Sequence, residues 1–221
     1  MMQVKAVLFD IDGTLVDSNE QHVDAWAFAF QQEGKPQERD AIRMQIGKGG
    51  DLLVPALIPD ASDSLCEALS ERHGANFKDM YLDHVRAFPR ATELVAKVHA
   101  TGRKVVLASS AKRAELDHYV ELLGIADMLA ASTSIDDVAT SKPAPDIFAA
   151  ALEKVGVAPG DAIVVGDTPY DVIAARGAGI VTIGVTSGPF DREQLKEAGA
   201  IAVFADVADL RDRFDHSPLA R

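Results

Sequence analysis

The sequence has few of the features that mark secreted or membrane-spanning proteins. Cys66 is the only cysteine among 221 residues, so no intrachain disulfide can form and we expect a reducing, cytoplasmic setting. No apolar run approaches the roughly 20 residues that a membrane helix needs. Asp10 and Asp12 interrupt the N-terminal apolar stretch, which therefore lacks a signal-peptide pattern. We expect no association with a membrane.

Basic residues are also scarce. The chain has 22 Lys and Arg against 34 Asp and Glu, which gives a formal net charge of -12. This balance argues against a general surface for nucleic acid or anionic membranes. It also means that an anionic ligand would need a local cation. Nothing in the sequence indicates assembly, so a monomer is the default expectation.

Apolar residues make up 48% of the chain, which is enough for a sizeable core. Short apolar runs predict strands at residues 4–9, 103–108, 128–131, 162–165, 180–184 and 201–204. Helical spacing and glycine stops predict helices over about 91–100, 116–123, 145–155 and 170–177. This alternation is typical of an α/β protein with a doubly wound, Rossmann-like parallel sheet. We expect the tail from Asp212 onward to be frayed.

Residues 18–87 break that alternation. They contain no convincing strand, and their apolar spacing predicts helices, including one around Trp26 and Phe30 and a long one over 62–86. We therefore predict a core domain of residues 1–17 and 88–221 and an all-helical cap domain of residues 18–87. The two connections, about 16–19 and 86–90, would act as hinges.

Two acidic residues follow the first predicted strand directly. Asp10 and Asp12 are two positions apart, so in extended chain they face the same way, and Gly13 lets the backbone turn sharply beside them. Ligands of open α/β sheets bind at the carboxyl ends of the strands. An ordinary Asp-Gly turn, or a helix N-cap at Asp12, would explain the same residues without chemistry.

Further polar motifs follow other predicted strands. They are Ser109-Ser110, Ser141-Lys142-Pro143 and Gly166-Asp167-Thr168-Pro169-Tyr170-Asp171. A carboxylate nucleophile, oxygen ligands for Mg²⁺, and hydroxyl and ammonium donors are the groups that phosphoryl transfer requires. Each motif alone has a simpler interpretation. Ser109 could be a helix N-cap, Lys142 a solvated lysine, and Asp171 a first-turn helix contact.

A charge count predicts that a metal ion is needed. A phosphate dianion beside Asp10, Asp167 and Asp171 brings about five negative charges together, and each unit pair costs on the order of 3 kcal/mol at roughly 5 Å with an effective dielectric near 20. Lys142 alone cannot offset this repulsion, so we predict obligate Mg²⁺. Asp12 must carry a proton for part of the cycle, and we expect a neighbouring carboxylate to raise its pKa.

The run from Asp10 to Ser18 (Asp-Ile-Asp-Gly-Thr-Leu-Val-Asp-Ser) resembles the first motif of the haloacid dehalogenase-like hydrolase superfamily. The later motifs resemble its second, third and fourth in order, at Ser109, at Lys142, and at Gly166-Asp167 with Asp171. Together they cover nearly the whole chain. The helical insert is similar to the cap of phosphoglycolate phosphatase-like and β-phosphoglucomutase-like members.

The resemblance implies roles for four residues. Asp10 is the nucleophile, and Asp12 is the general acid and base. Ser109 binds the phosphoryl group, and Lys142 steadies both the nucleophile and the phosphate.

The resemblance also implies a Mg²⁺ site and a reaction. Asp10, the backbone carbonyl of Asp12, and Asp167 hold the ion, and Asp171 assists without direct coordination. The implied activity is a phosphatase for a small phosphorylated metabolite, with an aspartyl-phosphate intermediate. A β-phosphoglucomutase-type isomerase is the main alternative, but the loop from Gly166 departs from the usual Glu-Asp pairing of that group. A metal-free dehalogenase and a non-catalytic phospho-ligand sensor are remote alternatives.

The cap and the first helix after the serines supply further candidates for substrate binding. Lys48 lies in a Gly-Lys-Gly-Gly run that could contact an anionic end of the substrate, or could be a flexible helix break. His22 matches a histidine of sugar-phosphate mutases, although histidines on helices are often structural. Ser110 and Lys112 are candidate ligands beside Ser109.

Overall fold

The structure, a computed structural model, describes residues 4–220. Its strands are β1 (Ala6–Phe9), β2 (Val16–Asp17), β3 (Arg86–Ala87), β4 (Lys104–Ala108), β5 (Leu129–Thr133), β6 (Ala162–Gly166), β7 (Val181–Val185) and β8 (Ala202–Phe204). Six of them form one sheet in the order β5-β4-β1-β6-β7-β8, and every pair in it is parallel. The predicted strands and the parallel sheet are confirmed.

Within residues 4–220, ten α-helices connect or extend these strands. They are α1 (Asn19–Gln32), α2 (Arg39–Arg43), α3 (Gly50–Leu57), α4 (Asp63–Met80), α5 (Ala91–Ala100), α6 (Arg113–Leu123), α7 (Asp146–Val155), α8 (Pro169–Gly177), α9 (Arg192–Ala198) and α10 (Val207–Asp212). None of these helices is both long and apolar enough to cross a membrane.

Strand β1 lies at the centre of the sheet and is fully buried. Val7 and Phe9 pack into one hydrophobic cluster with residues of α5, α6 and α10. Ala6 and Leu8 point the other way, into a cluster with residues of α7 and α8. Because both faces are covered, β1 appears in the sequence as a continuous apolar run. The doubly wound α/β fold class is confirmed.

Helices α1 to α4 share a hydrophobic cluster of their own, which includes Trp26 and Phe30. Strands β2 and β3 flank this group and pair with each other as antiparallel strands. The long helix predicted over 62–86 ends at Met80, and a 3₁₀ turn follows at Leu82–His84. The division into a core and a cap at 17/18 and 87/88 stays a prediction, and below "the cap" means residues 18–87.

The expectation of a frayed tail after Asp212 is wrong. Two 3₁₀ turns, Phe214–His216 and Pro218–Ala220, follow α10. Phe214 is 2% exposed and Leu219 is 0% exposed, and both belong to the cluster that also contains residues of α5. Short 3₁₀ turns show no helical periodicity, so the sequence pattern did not indicate that these apolar residues are buried.

We predict that Leu219→Ala lowers the free energy of unfolding by about 2–5 kcal/mol, because it leaves a cavity in the main core. Leu122→Ala is the matched control, since Leu122 is 38% exposed on α6, and its effect should stay within about 0.5 kcal/mol. Urea unfolding followed by circular dichroism measures both. Equal effects of the two variants would contradict the docked tail.

Candidate active site

Three neighbouring strands deliver polar residues to one edge of the sheet. Asp10 follows β1, Ser109 follows β4, and Asp167 follows β6. Strand β1 lies between β4 and β6, and the parallel register places Phe9 beside both Leu107 and Val165. The carboxyl ends of the three strands are therefore adjacent, and Asp10 stands at the middle of the site.

Lys142 forms the charged link between two of the acidic residues. Its Nζ lies 2.5 Å from Asp10 Oδ1 and 2.7 Å from Asp171 Oδ1. It also donates to the carbonyl oxygen of Ala108 at 3.1 Å. The residue is 1% exposed, so it is not a solvated surface lysine.

Asp171 has a second contact, with Thr168 at the start of α8. Its Oδ2 accepts hydrogen bonds from the Thr168 backbone N at 3.1 Å and from Thr168 Oγ1 at 2.7 Å. Thr168 Oγ1 in turn accepts from the backbone N of Asp171, which completes a capping box. The helix contact expected for Asp171 is thus present, and the same side chain also forms an ion pair with Lys142.

Asp167 is held on every side by groups of the protein. Thr14 Oγ1 lies 3.2 Å from Asp167 Oδ1 and 3.3 Å from Asp10 Oδ2, so one hydroxyl bridges the two carboxylates. Asn19 Nδ2 donates to Asp167 Oδ2 at 3.1 Å. A Cβ added at Gly13 or Gly188 would lie 2.1 or 1.8 Å from that same Oδ2. Sequence reasoning missed Thr14 and Asn19 as partners of this carboxylate.

The electrostatics of this cluster favour a bound cation. Burial raises the pKa of Asp10 to about 7, and Asp171 adds to the effect while Lys142 opposes it. Burial, with the charges of Asp10 and Asp171, raises the pKa of Asp167 well above its usual value. Three buried carboxylates thus face a single ammonium, and their oxygens lie close enough to share one ion. An all-oxygen donor set of this kind fits Mg²⁺.

Asp12 lies in a different environment, and the expectation that its pKa is raised is wrong. Its Oδ1 accepts from Ser18 Oγ at 2.5 Å and from Tyr119 OH at 2.9 Å, and it lies 3.1 Å from His22 Nε2. Burial alone would raise the pKa of Asp12, but the charge and hydrogen bond of His22, with the other two donors, lower it to about 2. The dominant neighbour is therefore a cation and not a carboxylate.

His22 is the more basic partner in this pair. Burial lowers its pKa, but the charges of Asp12 and Glu115 outweigh burial and raise it. Its Nδ1 lies 3.1 Å from His73 Nε2, and burial together with the charge of His22 lowers the pKa of His73 well below its usual value. When it is protonated, His22 can donate both of its ring N–H groups, one to Asp12 and one to His73.

A cavity of about 260 Å³ lies over these residues, between α1, α3, α4 and the core. Six of the predicted site residues line it: Asp10, Asp12, His22, Lys48, Ser110 and Lys112. On the cap side the ring of Trp26 stacks on that of His73, with centroids 4.2 Å apart. The cavity therefore brings candidates from the core and from the cap to one space.

The remaining predicted residues occupy distinct positions. Ser109 is fully buried, and its Oγ accepts from the backbone N of Ala111 at 3.0 Å. Ser110 Oγ donates to the carbonyl oxygen of Gly47 at 3.2 Å, which links core to cap. Lys112 stands at the N-cap position of α6, and it forms no ion pair within residues 4–220.

The Gly-Lys-Gly-Gly run packs tightly on the core. A Cβ added at Gly47 would lie 2.9 Å from Thr168 Cγ2, and one at Gly49 would lie 2.7 Å from Ser141 Cβ. The backbone N of Gly49 donates to Ser141 Oγ at 2.9 Å, so this amide is already used. Lys48 Nζ contacts Gln45 Oε1 at 2.6 Å and lies 4.6 Å from the centroid of the Tyr170 ring.

We predict that Gly188→Ala lowers the free energy of unfolding by about 1–3 kcal/mol, because the new methyl group would overpack against buried Asp167. Gly160→Ala is the matched control, since a Cβ there would meet nothing within 4 Å. The control should cost no more than about 0.5 kcal/mol. Denaturant unfolding of both variants measures the difference, and a harmless Gly188→Ala would contradict this close approach.

Known proteins resemble this chain in sequence and in structure. Residues 4–179 match the haloacid dehalogenase-like hydrolase family. A phosphoglycolate phosphatase of Rhodospirillum rubrum is 31% identical over 217 residues, covering 94% of this chain and 90% of that protein. The crystal structure of a hydrolase from Pseudomonas syringae is 32% identical, with a TM-score of 0.90 and coverage of 96% and 98% of the two chains.

A β-phosphoglucomutase-like protein of Bacteroides vulgatus is similar in structure as well. It has a TM-score of 0.88 and 26% identity, and the alignment covers 97% of this chain and 88% of that one. The family match spans most of the chain, and it includes the segments that carry all of the acidic residues of the site. The chain belongs to the haloacid dehalogenase-like hydrolase family.

Proposed function

We propose that this phosphoric monoester hydrolase is a Mg²⁺-dependent phosphatase that forms an aspartyl-phosphate on Asp10. The observation that carries the proposal is the position of Asp10 at the centre of the site. Its Oδ1 lies 2.5 Å from Lys142 Nζ, and the carboxylate lines the cavity. An anion that reaches Asp10 in the cavity therefore comes close to the Lys142 ammonium, although Lys142 is buried and is not among the lining residues.

The reaction has two displacements at phosphorus. First, a carboxylate oxygen of Asp10 bonds to phosphorus, and the bond from phosphorus to the ester oxygen breaks with both electrons leaving on that oxygen. Water then attacks phosphorus, and the Asp10 carboxylate is released with inorganic phosphate. Mg²⁺, held by Asp10, Asp167 and the backbone carbonyl of Asp12, would neutralise charge on the phosphoryl oxygens. Asp171 supports this set through Lys142.

Asp12 and His22 are proposed to handle the protons. Three donors converge on Asp12 Oδ1, whereas no donor from residues 4–220 reaches Oδ2. Oδ2 is thus the oxygen available to the leaving group and to the attacking water. Because the pKa of Asp12 is low and that of His22 is raised, the Asp12–His22 pair would hold the proton that the leaving oxygen takes, and the attacking water would return a proton to the pair.

The cavity indicates the size of the substrate. A volume of about 260 Å³ lies below the usual range for drug-sized ligands, so a compact alcohol portion fits best. Ser109 and Lys142 would hold the phosphoryl group, and Ser110, Lys48 and Lys112 would face the remainder. Phosphoglycolate and sugar phosphates are the proposed substrate class, in line with the names of the relatives.

We predict that the protein releases phosphate from such esters when Mg²⁺ is present, and that EDTA abolishes the release. Asp10→Asn should reduce activity to background, because an amide of nearly equal volume is a poor nucleophile. Asp161→Asn is the matched control, since the Asp161 side chain pairs with Lys5 at the opposite end of β6 from Asp167. A colorimetric phosphate assay measures all four conditions, and circular dichroism checks the fold of each variant. Substantial Mg²⁺-dependent activity in Asp10→Asn would remove this residue from the nucleophile role.

The second test separates hydrolysis from isomerisation. Incubation with phosphoglycolate and with a hexose 1-phosphate should yield free phosphate and the parent alcohol in equal amounts. The similarity to a β-phosphoglucomutase-like structure makes the isomerase the rival, and stoichiometric hexose 6-phosphate without free phosphate would favour it. Phosphorus NMR distinguishes the products directly.

A further inference from the structure

We propose that Asn19 is a positioning residue for the metal ion. Its amide nitrogen orients Asp167, and its amide oxygen accepts a hydrogen from a water in the hydration shell of the ion. The inference rests on the Mg²⁺ dependence that we propose above, and it adds a residue that belongs to none of the four motifs.

Asn19 reaches the site from the first helix of the cap. It is the first residue of α1, the helix that opens the cap, and it directly follows Ser18 at the N-cap position. The residue is 8% exposed, and its side chain turns back toward the core. Its Nδ2 lies 3.1 Å from Asp167 Oδ2, although 148 positions separate the two residues in the chain.

The contact fixes the part of Asp167 that no other side chain holds. Within residues 4–220, Thr14 is the donor to Oδ1 and Asn19 is the only side-chain donor to Oδ2. The backbones of Gly13 and Gly188 close in on Oδ2 from two further directions. The amide therefore sets the rotation of the carboxylate and leaves Oδ1 on the side that Thr14 shares with Asp10.

The amide oxygen carries the second part of the proposal. Asn19 Oδ1 is buried and has no hydrogen-bond partner among the described residues. Rotating the amide by half a turn would not satisfy it, because the oxygen would then face the Asp167 carboxylate. A buried acceptor without a donor is unfavourable, and Mg²⁺ bound in proteins usually keeps several waters. A water on the ion is the donor that this oxygen lacks.

The test compares metal affinity in wild type, Asn19→Ala, Asn19→Ser and Asn76→Ala. The last variant is the matched control, because the Asn76 amide donates to Ala25 O and Gln32 within the cap, away from the acidic residues. Mn²⁺ binding is followed by electron paramagnetic resonance, and Mg²⁺ affinity is obtained by competition. Thermal unfolding without metal checks that each variant folds.

We expect Asn19→Ala to weaken Mg²⁺ binding by about 10–100-fold, which is typical for removing a partner of a metal-ligating carboxylate. Asn19→Ser, which retains a small polar group, should lie between Asn19→Ala and wild type. The control should keep the wild-type affinity. Phosphatase activity of Asn19→Ala should recover as Mg²⁺ is raised, because the reacting groups are intact.

Two outcomes would overturn the inference in different ways. If Asn19→Ala unfolds at a lower temperature but binds Mg²⁺ as wild type does, Asn19 has a structural role only and this inference is wrong. If wild-type protein binds neither Mn²⁺ nor Mg²⁺, the proposed function and this inference fail together.

Discussion

The burial of three carboxylates around one ammonium is the constraint on which the rest of the site depends. Asp10, Asp167 and Asp171 are each at most 6% exposed, and Lys142 is the cation among them. Uncompensated charge is costly in a protein interior, so such a cluster persists only if paired, hydrogen-bonded or bound to a cation. The capping box of α8 and the bridge from Thr14 supply part of the compensation. What they leave uncompensated is a negative excess, which favours the binding of a cation beside these carboxylates.

The two aspartates of the first motif differ in pKa because their surroundings differ. Asp10 shares its surroundings with other carboxylates and has a raised pKa, whereas Asp12 faces His22 and has a lowered one. His22 belongs to a helix of the cap, while Tyr119 comes from the core. The proposed proton-handling group is therefore assembled from both parts of the chain. Its protonation state depends on a contact that exists only when α1 lies against the core.

Much of the fold followed from local patterns, because apolar runs and glycine stops are short-range signals. The position of Asp10 after β1 and of Asp167 after β6 followed in turn from the rule that parallel strands end at one edge. Asn19, Tyr119 and His73 could not be found this way, since their importance lies in contacts across 51 to 148 positions of the chain. The direction of the pKa of Asp12 was also missed, although His22 is only 10 positions away in the chain. Its controlling neighbour is set by tertiary packing and not by spacing in the sequence.

Two glycines of the Gly-Lys-Gly-Gly run restrict which cap segments can pack on this core. Gly47 and Gly49 press their backbones against Thr168 and Ser141, two residues of the core motifs. The contact of Gly47 with Thr168 is steric, whereas the contact with Ser141 is also polar. Ser141 Oγ accepts a hydrogen bond from the Gly49 amide, and the Ser141 backbone N donates to the Asp51 carboxylate. A helical insert transplanted from a relative would seat correctly only if it brought equally small residues at these two points. Substitutions on α1 and α4 can then change ligand preference without altering the Gly-Lys-Gly-Gly run.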